Sequence, residues 1–367
     1  MRGKPLLILI VLTVVIAVVA VVVREDRGSV AGAGEPLFPA LLEHVNEVTT
    51  VVGVGRGETF TLVREGDRWL VSEKNNYPAN QEEARKLVLG VARLSRIEPK
   101  TSNPDLYEKI GLDDINAESG NAVQYSFKNG AGESLADIII GNSRLGRVDP
   151  QESEYFVREP VMAQTWLVQG KLSDAVGAIE WLDDKILKVE RDRVRQVTVT
   201  HPDGATVTVS KKKPSQQTFN LVGVAEGEET ESKFKLNDLG RSLASLDLED
   251  VVQASEVRVP DDALEVEMTT FDGLRAVLRS TKDGDRTLAW VAASFDESLI
   301  APEFLPGGEQ ADGESTHLLS ADAAREEVAR LNRDLPNWVY VVPNYRAKYM
   351  SVTKEDLMKG AEKKDDS

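Results

Sequence analysis

The three histidines of the chain are the first candidates for chemistry, because imidazole is the commonest protein metal ligand and titrates near neutral pH. His44, His201 and His317 lie far apart, and neither of the first two has a second histidine at the short spacing of a zinc motif. The chain has no cysteine, which excludes thiol nucleophiles, thiolate metal sites and disulfides. No serine stands in a Gly-x-Ser-x-Gly motif. We therefore predict no catalytic, cofactor-binding or metal-binding residue and no cofactor.

Paired carboxylates are the next candidates, and they occur at Asp113-Asp114, Asp183-Asp184 and Asp261-Asp262. A glycosidase needs two carboxyl groups that face one bond, whereas adjacent side chains in a strand or loop point apart. No acidic run has the spacing of a calcium-binding loop. These acids are interpreted as solvated surface groups or as acids at helix starts.

Two glycine-rich stretches and one basic cluster could bind phosphate or lipid. Neither Gly53-Val-Gly-Arg-Gly57 nor Gly141-Asn-Ser-Arg-Leu-Gly146 leads into a helix, so both are interpreted as turns. Lys211-Lys212-Lys213 is interpreted as a solvated hairpin tip. A contact of these lysines with an acidic partner or with lipid headgroups is the alternative.

Tryptophan at strand positions usually packs in a core, with a ligand platform as the alternative. The tryptophans to which this applies are Trp69, Trp166, Trp181, Trp290 and Trp338.

The elements that position these residues form two copies of one pattern. Each copy begins with three short strands of alternating apolar residues and ends with a tryptophan-containing strand. Val48 aligns with Val197, and Trp166 aligns with Trp338. The chain is therefore predicted to be an internal duplication.

A helix follows the first three strands of each copy. Asn80 is predicted to cap the first helix, with Glu83 at the spacing of a capping box. The predicted apolar stripes are Ala84, Leu87, Val88, Val91 and Leu94 in the first helix, and Leu236, Leu239, Leu243 and Leu246 in the second.

Each copy continues with a hairpin, around Asn129–Gly132 in the first copy and around Asp272-Gly273 in the second. A loop over 296–320 and a helix over Ala321–Arg333 are predicted before the last strand. The predicted fold class is α+β: a single N-terminal transmembrane helix followed by a tandem duplication of a small antiparallel sheet packed with a helix.

Residues 5–23 form an uncharged apolar run that spans ~28 Å as a helix, close to the thickness of a bilayer core. It exceeds the usual core of a cleaved signal peptide, and the only Ala-x-Ala, Ala31-Gly32-Ala33, lies beyond a charged stretch. An uncleaved anchor is predicted, with a cleaved signal as the alternative. The short tail that contains Arg2 and Lys4 favours a cytoplasmic N-terminus. In a bacterium the body would then lie in the periplasm or outside the cell, on a single-pass protein of the inner membrane.

The predicted organisation runs from the anchor through two repeats to a charged end. The segments are a tail 1–4, a transmembrane anchor 5–23, a stalk 24–36, a first α+β repeat 37–186, a second α+β repeat 187–352 and a charged tail 353–367.

The charge of the chain limits its partners. The full chain has 44 Lys and Arg against 61 Asp and Glu, a net charge of −17. Without Arg2 and Lys4 the remaining 42 basic groups face the same 61 acids, which leaves −19 beyond the anchor. This argues against a nucleic-acid partner and against docking of the body on anionic lipid, since both favour a basic surface. The sequence contains no signal for the oligomeric state.

Three stretches resemble the bacterial domain-of-unknown-function 4340 family. They are the sequences LFPALLEHVNEV over 37–48, EPKTSNPDLYEKIGLDD over 98–114 and NWVYVVPNY over 337–345. The resemblance implies one N-terminal membrane helix and a duplicated envelope domain, in some members beside gliding-motility-type ABC transport systems. It implies no catalytic residue.

Two functions follow as expectations. The first is a membrane-anchored, non-enzymatic envelope protein that serves as an accessory or interaction module of an ABC-type transport complex. The second is an anchored enzyme or ligand-binding protein that acts on an envelope glycan, lipid or peptide in a groove between the repeats. A purely structural spacer would have no obligate partner.

Overall fold

The computed structural model describes residues 33–113, 115, 122–147, 151–306, 308 and 317–359. The chain divides into two compact units, unit 1 up to Leu182 and unit 2 from Asp183 onward. The repeat boundary predicted after residue 186 falls within a strand of unit 2, Lys185–Lys188.

Unit 1 is built on one nine-stranded antiparallel sheet, in the order β4-β3-β2-β1-β6-β7-β8-β9-β5. Its strands are β1 (Val48–Gly55), β2 (Glu58–Glu65), β3 (Arg68–Val71), β4 (Tyr77–Pro78), β5 (Ser95–Pro99), β6 (Val123–Asn129), β7 (Ser134–Leu145), β8 (Ser153–Arg158) and β9 (Thr165–Gly170). Its helices are α1 (Pro39–Glu43) and α2 (Gln81–Ala92).

The first hairpin of unit 1 follows from its turn residues and from one glycine. Arg56 and Gly57 have φ values of 52° and 75°, the left-handed pair that a two-residue hairpin turn requires. Gly53 pairs with Phe60 across β1 and β2, and the ring of Phe60 lies on the backbone of Gly53. A Cβ at Gly53 would lie 2.1 Å from that ring, so this packing requires glycine.

Asn80 begins α2 as predicted. Its Oδ1 accepts hydrogen bonds from the N–H groups of Glu82 and Glu83, at 3.2 and 3.1 Å. The N–H of Asn80 donates to the carbonyl of Trp181 at 2.8 Å. The helix start is thereby joined to the end of unit 1. The predicted apolar stripe is buried, although α2 ends at Ala92, before Leu94.

Unit 2 is built on an eight-stranded antiparallel sheet, in the order β13-β12-β11-β16-β17-β18-β19-β15, with a separate β10–β14 pair. Its strands are β10 (Lys185–Lys188), β11 (Val194–Thr200), β12 (Thr206–Ser210), β13 (Asn220–Leu221), β14 (Ser245–Asp247), β15 (Asp250–Gln253), β16 (Leu264–Thr270), β17 (Leu274–Asp283), β18 (Arg286–Phe295) and β19 (Trp338–Val342). Its helices are α3 (Lys233–Gly240), α4 (Ala321–Asp334), α5 (Asn344–Met350) and α6 (Lys354–Leu357).

The predicted second stripe is only half helical. All four leucines are buried, but α3 ends at Gly240, so Leu243 follows the helix and Leu246 lies in β14. Gly240 packs against the ring of Phe219, which a Cβ there would approach to 2.4 Å. The apolar spacing of this segment therefore serves a helix, a turn and a strand in succession.

The two sheets share one strand order, apart from the additional edge strand β4 in unit 1. β1 lies between β2 and β6 as β11 lies between β12 and β16, and β9 and β19 each pair with a short edge strand, β5 or β15. Register irregularities in β1 and β11 place Val48 opposite Asn129 and Val194 opposite Thr270. By this criterion Val48 corresponds to Val194, three residues from the predicted alignment with Val197.

The predicted fold class is wrong in the size of its sheets. Unit 1 and unit 2 contain sheets of nine and eight strands, because β8 and β18 extend each sheet and β5 and β15 pair beyond its last strand. The protein is therefore sheet-rich, with short helices packed on large antiparallel sheets.

The predicted anchor 5–23 lies outside the described residues. Within the described part of the chain, no helix is long and apolar enough to cross a bilayer.

Candidate functional site

The three histidines are each engaged locally. His44 Nδ1 lies 2.9 Å from Glu47 Oε1, and this hydrogen bond raises the pKa of His44. His201 Nε2 donates to the carbonyl of Val352 at 3.0 Å, and the backbone N–H of His317 donates to Asp192 Oδ2 at 2.8 Å. In the described residues, no group of three or more His, Asp or Glu side chains could hold a metal ion.

The two glycine stretches differ in structure. Gly53–Gly57 ends β1 in a hairpin turn, as predicted. The turn predicted over Gly141–Gly146 is wrong, because β7 runs through to Leu145. Gly141 permits close packing in that strand, where a Cβ would lie 2.5 Å from the carbonyl oxygen of Gly111.

The solvated tip predicted for the lysine cluster is wrong for Lys211, which is only 3% exposed. Its Nζ donates to the carbonyl of Arg191 at 2.7 Å and lies 5.2 Å from the ring centre of Phe219. Burial lowers the pKa of Lys211 to about 8, against a smaller opposing effect of Asp192. Lys212 and Lys213 are exposed.

The tryptophans belong mainly to the packing, as predicted. Trp69, Trp181 and Trp338 are buried, and Trp166 and Trp290 are partly buried. Arg96 lies over the Trp166 ring at 4.9 Å, so this face is covered by a side chain of unit 1.

Unit 2 contains a buried charge network that no sequence pattern indicated. Arg193 Nε and Nη2 lie 2.7 and 3.3 Å from the two carboxylate oxygens of Asp272, and Nη1 and Nη2 lie 3.0 and 2.6 Å from those of Glu327. Asp272 also accepts from the Thr270 hydroxyl at 2.5 Å and from the Leu319 N–H at 2.9 Å. Burial alone would lower the pKa of Arg193, but the hydrogen bonds to Glu327 and Asp272 raise it above its usual value.

This network is closed, because each carboxylate accepts from the guanidinium in a bidentate arrangement. Asp272 is fully buried in a hairpin turn, and Glu327 lies on α4, so the ions tie a turn to a helix. An acid or base for catalysis would need a free position toward a substrate. The geometry therefore fits a structural tie.

Unit 1 has a cavity of about 550 Å³ at one end of its sheet, here called the unit 1 cavity. It is lined by Arg56, Val123, Tyr125, Ile140, Gly141, Asn142, Ser143, Tyr155, Leu172, Ser173, Asp174 and Val176. The Tyr125 hydroxyl donates to the carbonyl of Ala175 at 3.1 Å, and the Tyr155 hydroxyl accepts from the Leu172 N–H at 3.4 Å. Burial raises the pKa of Tyr125, so its hydroxyl remains a proton donor at neutral pH.

Unit 2 has a cavity of about 480 Å³, here called the unit 2 cavity. It is lined by Pro202, Asp262, Leu264, Ser280, Thr281, Lys282, Thr287, Asn344, Ala347, Lys348 and Ser351. Lys282 pairs with Thr287 across β17 and β18, and Ser280 pairs with Leu264 across β16 and β17. These side chains share one face of the sheet, since residues opposite or two apart point to the same side. Helix α5 supplies Asn344 and the other helical lining residues.

Two lysines leave charged groups available in the unit 2 cavity. Thr287 also lines the cavity, but its Oγ1, which has no hydrogen-bond partner among the described residues, is buried and not accessible from it. Lys282 Nζ donates to Asn344 Oδ1 at 3.2 Å, and within the described chain neither Lys282 nor Lys348 forms an ion pair. The cavity therefore presents two ammonium groups that have no carboxylate partner among the described residues.

The two cavities occupy matching places in the shared strand order. Each contains a residue of the first hairpin turn, Arg56 or Pro202, and the first residue of the next sheet strand, Val123 or Leu264. Each is completed by the chain segment that follows the unit's last long strand, β9 or β19. The scaffold thus places a cavity at the same position twice.

Comparison with known proteins supplies the family. Residues 69–264, which are 196 of the 367 residues, match the family described as Domain of unknown function (DUF4340). No curated protein matches the chain, and no solved structure does. The match covers more than half of the chain, includes residues of both units and contains the stretch 98–114, one of the three that carry the resemblance. The chain therefore belongs to the DUF4340 family.

Proposed function

We propose that this protein is a non-enzymatic envelope module that serves as an accessory of an ABC-type transport complex. The observation that carries the non-enzymatic part is the closed network of Arg193, Asp272 and Glu327, in which three buried ions of unit 2 are used on one another. The unit 2 cavity, by contrast, is lined by hydroxyls and by ammonium groups that have no carboxylate partner among the described residues, and these groups suit binding. The module would contact its partner or ligand without changing it.

The proposal includes a place at the membrane. The apolar run 5–23 supports a single-pass anchor in the inner membrane, with the body in the periplasm or outside. An anchor of this kind raises the effective concentration of the body near a membrane partner. The net charge of −17 supports a protein partner over nucleic acid.

The association is tested by crosslinking intact cells, solubilising the membranes and capturing the full chain through a C-terminal tag. Subunits of a transport ATPase and its membrane partner should be enriched over a control capture with another tagged single-pass protein. Recovery of the chain without any transporter subunit would contradict the accessory role.

The location is tested separately by adding protease to spheroplasts. The C-terminal tag should be removed from outside while a cytoplasmic marker stays intact. A tag that survives until the cells are lysed would contradict the proposed topology. Release of the full-size body by osmotic shock would instead support the cleaved-signal alternative.

The second candidate is a ligand-binding role, as in the alternative prediction of a protein that acts on an envelope glycan, lipid or peptide. One observation favours it: Lys282 and Lys348 line the unit 2 cavity, and within the described chain neither ammonium group forms an ion pair. An anionic ligand can supply the missing partner. This role is compatible with the accessory role, because binding components of transport systems act without catalysis.

A further inference from the structure

We propose that the unit 2 cavity binds a polyol that carries one anionic group, as a sugar acid, a sugar phosphate or a glycerol phosphate does. The inference rests on the proposed ligand-binding role and names the chemistry of its ligand. It follows from the size of the cavity, from its charge and from the kind of polar groups that line it.

The size fits a small ligand. The cavity has a volume of about 480 Å³, within the range of roughly 300–1,000 Å³ in which small-molecule sites fall. Leu264, Ala347 and Pro202 give it an apolar part, and the remaining lining residues are polar or charged. This mixture suits a ligand with both C–H and O–H surface.

The charge favours an anion. Lys282 and Lys348 line the cavity against one carboxylate, Asp262, in a chain whose overall charge is −17. Neither ammonium has a carboxylate within ion-pair distance among the described residues. An anionic group could therefore approach either lysine without displacing an existing ion pair, at a place where the rest of the chain would repel it.

The neutral lining favours hydroxyl groups on the ligand. Ser280, Ser351 and Asn344 supply hydroxyl and amide groups, which can both donate and accept hydrogen bonds, as sugar hydroxyls do.

Unit 1 provides a natural comparison. In its cavity the Tyr125 and Tyr155 hydroxyls are engaged by backbone groups of the same unit, and Arg56 lies 3.8 Å from Glu180. A ligand there would have to compete with these contacts. We therefore assign the anionic polyol to the unit 2 cavity alone.

The test is calorimetric titration of the full chain in nanodiscs with glucuronate, glucose 6-phosphate and glycerol 3-phosphate, with glucose as the neutral probe. At least one anionic probe should bind, and glucose should bind at least tenfold more weakly. The preferred probe distinguishes a carboxylated sugar, a sugar phosphate and a lipid-headgroup phosphate. Equal binding of glucose would overturn the anionic class, and failure of every probe to bind would overturn the proposal.

Variants locate the site. The double substitution Lys282→Gln and Lys348→Gln should weaken binding of the preferred anion at least tenfold, whereas Lys282→Arg with Lys348→Arg should retain it. Arg56→Gln in the unit 1 cavity should leave binding unchanged. Unchanged affinity in the double glutamine variant, or loss of affinity in Arg56→Gln, would overturn the assignment to unit 2. Transporter capture by the same variants is measured separately, so the accessory role can fail or stand on its own.

Discussion

The unit 1 and unit 2 cavities occupy matching places on sheets of the same strand order, yet their polar groups are used differently. In unit 1, Tyr125 and Tyr155 bond to backbone groups of the segment that closes the cavity. In unit 2, the Lys282 ammonium donates to the amide oxygen of Asn344, and within the described chain neither Lys282 nor Lys348 forms an ion pair. The same scaffold position thus holds hydroxyls bonded to the backbone in one unit and ammonium groups without a carboxylate partner in the other.

The two units also differ at the opposite ends of these sheets, and there unit 2 has the more extensive internal contacts. By register, Glu47 before β1 corresponds to Arg193 before β11. Glu47 is exposed and contacts His44, whereas Arg193 is buried between Asp272 and Glu327. Unit 2 therefore has a buried ion network at this end, whereas the two lysines at its cavity end have no carboxylate partner among the described residues.

The largest expected effect comes from breaking the buried network of unit 2. Arg193→Leu leaves Asp272 and Glu327 buried without their counter-ion, and removal of one partner of a buried pair costs about 3–5 kcal/mol. Hydrogen exchange of the full chain should show this loss in unit 2 peptides, with unit 1 peptides unchanged. The matched substitution Glu47→Ala should change unit 1 by less than about 0.5 kcal/mol. Equal effects of the two substitutions would remove the contrast.

A second effect depends on pH and also belongs to unit 2. Lys211 has a folded-state pKa of about 8, below its ordinary value of 10.5, because it is buried. Between these two values the unfolded chain binds more protons, so the stability of unit 2 should rise with pH, by up to about 3 kcal/mol. Below about pH 8 both states carry the proton, so Lys211 no longer makes the stability depend on pH. Urea unfolding across this window should show a steeper rise for the wild type than for Lys211→Met, and parallel curves would contradict the pKa assignment.

A third effect tests the packing of the first hairpin in unit 1. Gly53 lies under the Phe60 ring, whereas at the corresponding register of unit 2 Val199 pairs with Val207. Gly53→Ala should destabilise unit 1 by about 1–3 kcal/mol, the usual cost of overpacking. Gly130→Ala is the control, since its added Cβ would meet only Thr49 at 3.8 Å. Thermal unfolding of both variants measures the difference, and similar midpoints would contradict the packing argument.

The smallest effect concerns two buried threonines and should differ in sign. The Thr165 hydroxyl donates to the carbonyl of Thr101 at 2.8 Å and accepts from its N–H at 3.0 Å, so Thr165→Val should cost about 1–2 kcal/mol. Thr287→Val removes a hydroxyl without a partner and should be neutral or stabilising by up to about 1 kcal/mol. Denaturation without ligand measures both. A destabilised Thr287→Val would show that the hydroxyl is already satisfied.

Local elements of the fold were predictable because short-range patterns define them. The alternation in β1 and β2, the Asn80 cap and the start of α4 at Ala321 all follow from neighbouring residues. The size of the sheets was not predictable, because β5 and β15 are edge strands that find their partners far along the chain.

The candidate site was not predictable for a related reason. Thr287 and Lys282 lie beside an ordinary hairpin turn, and Asn344 joins them only through the packing of α5. Asp272, in an Asp-Gly hairpin, reads as an exposed turn residue, and only tertiary structure brings Arg193 to it across 79 residues. Whether a cavity forms depends on how helices and strands pack, and no sequence motif in this chain indicates that packing.

The turn between β16 and β17 offers a use beyond its part in the charge network. The long connection between β18 and β19 leaves the sheet beside this turn, where the N–H of Asp296 donates to Gly273 and that of Ala301 to Phe271, at 2.8 and 2.9 Å. It comes back to the same turn through Leu319 and the carboxylate of Asp272. A connection that is hydrogen-bonded to the sheet at both of its ends can change its length without altering strand register. A reporter domain inserted between Ala301 and Leu319 should therefore leave the sheet of unit 2 folded, which makes this connection a suitable insertion site.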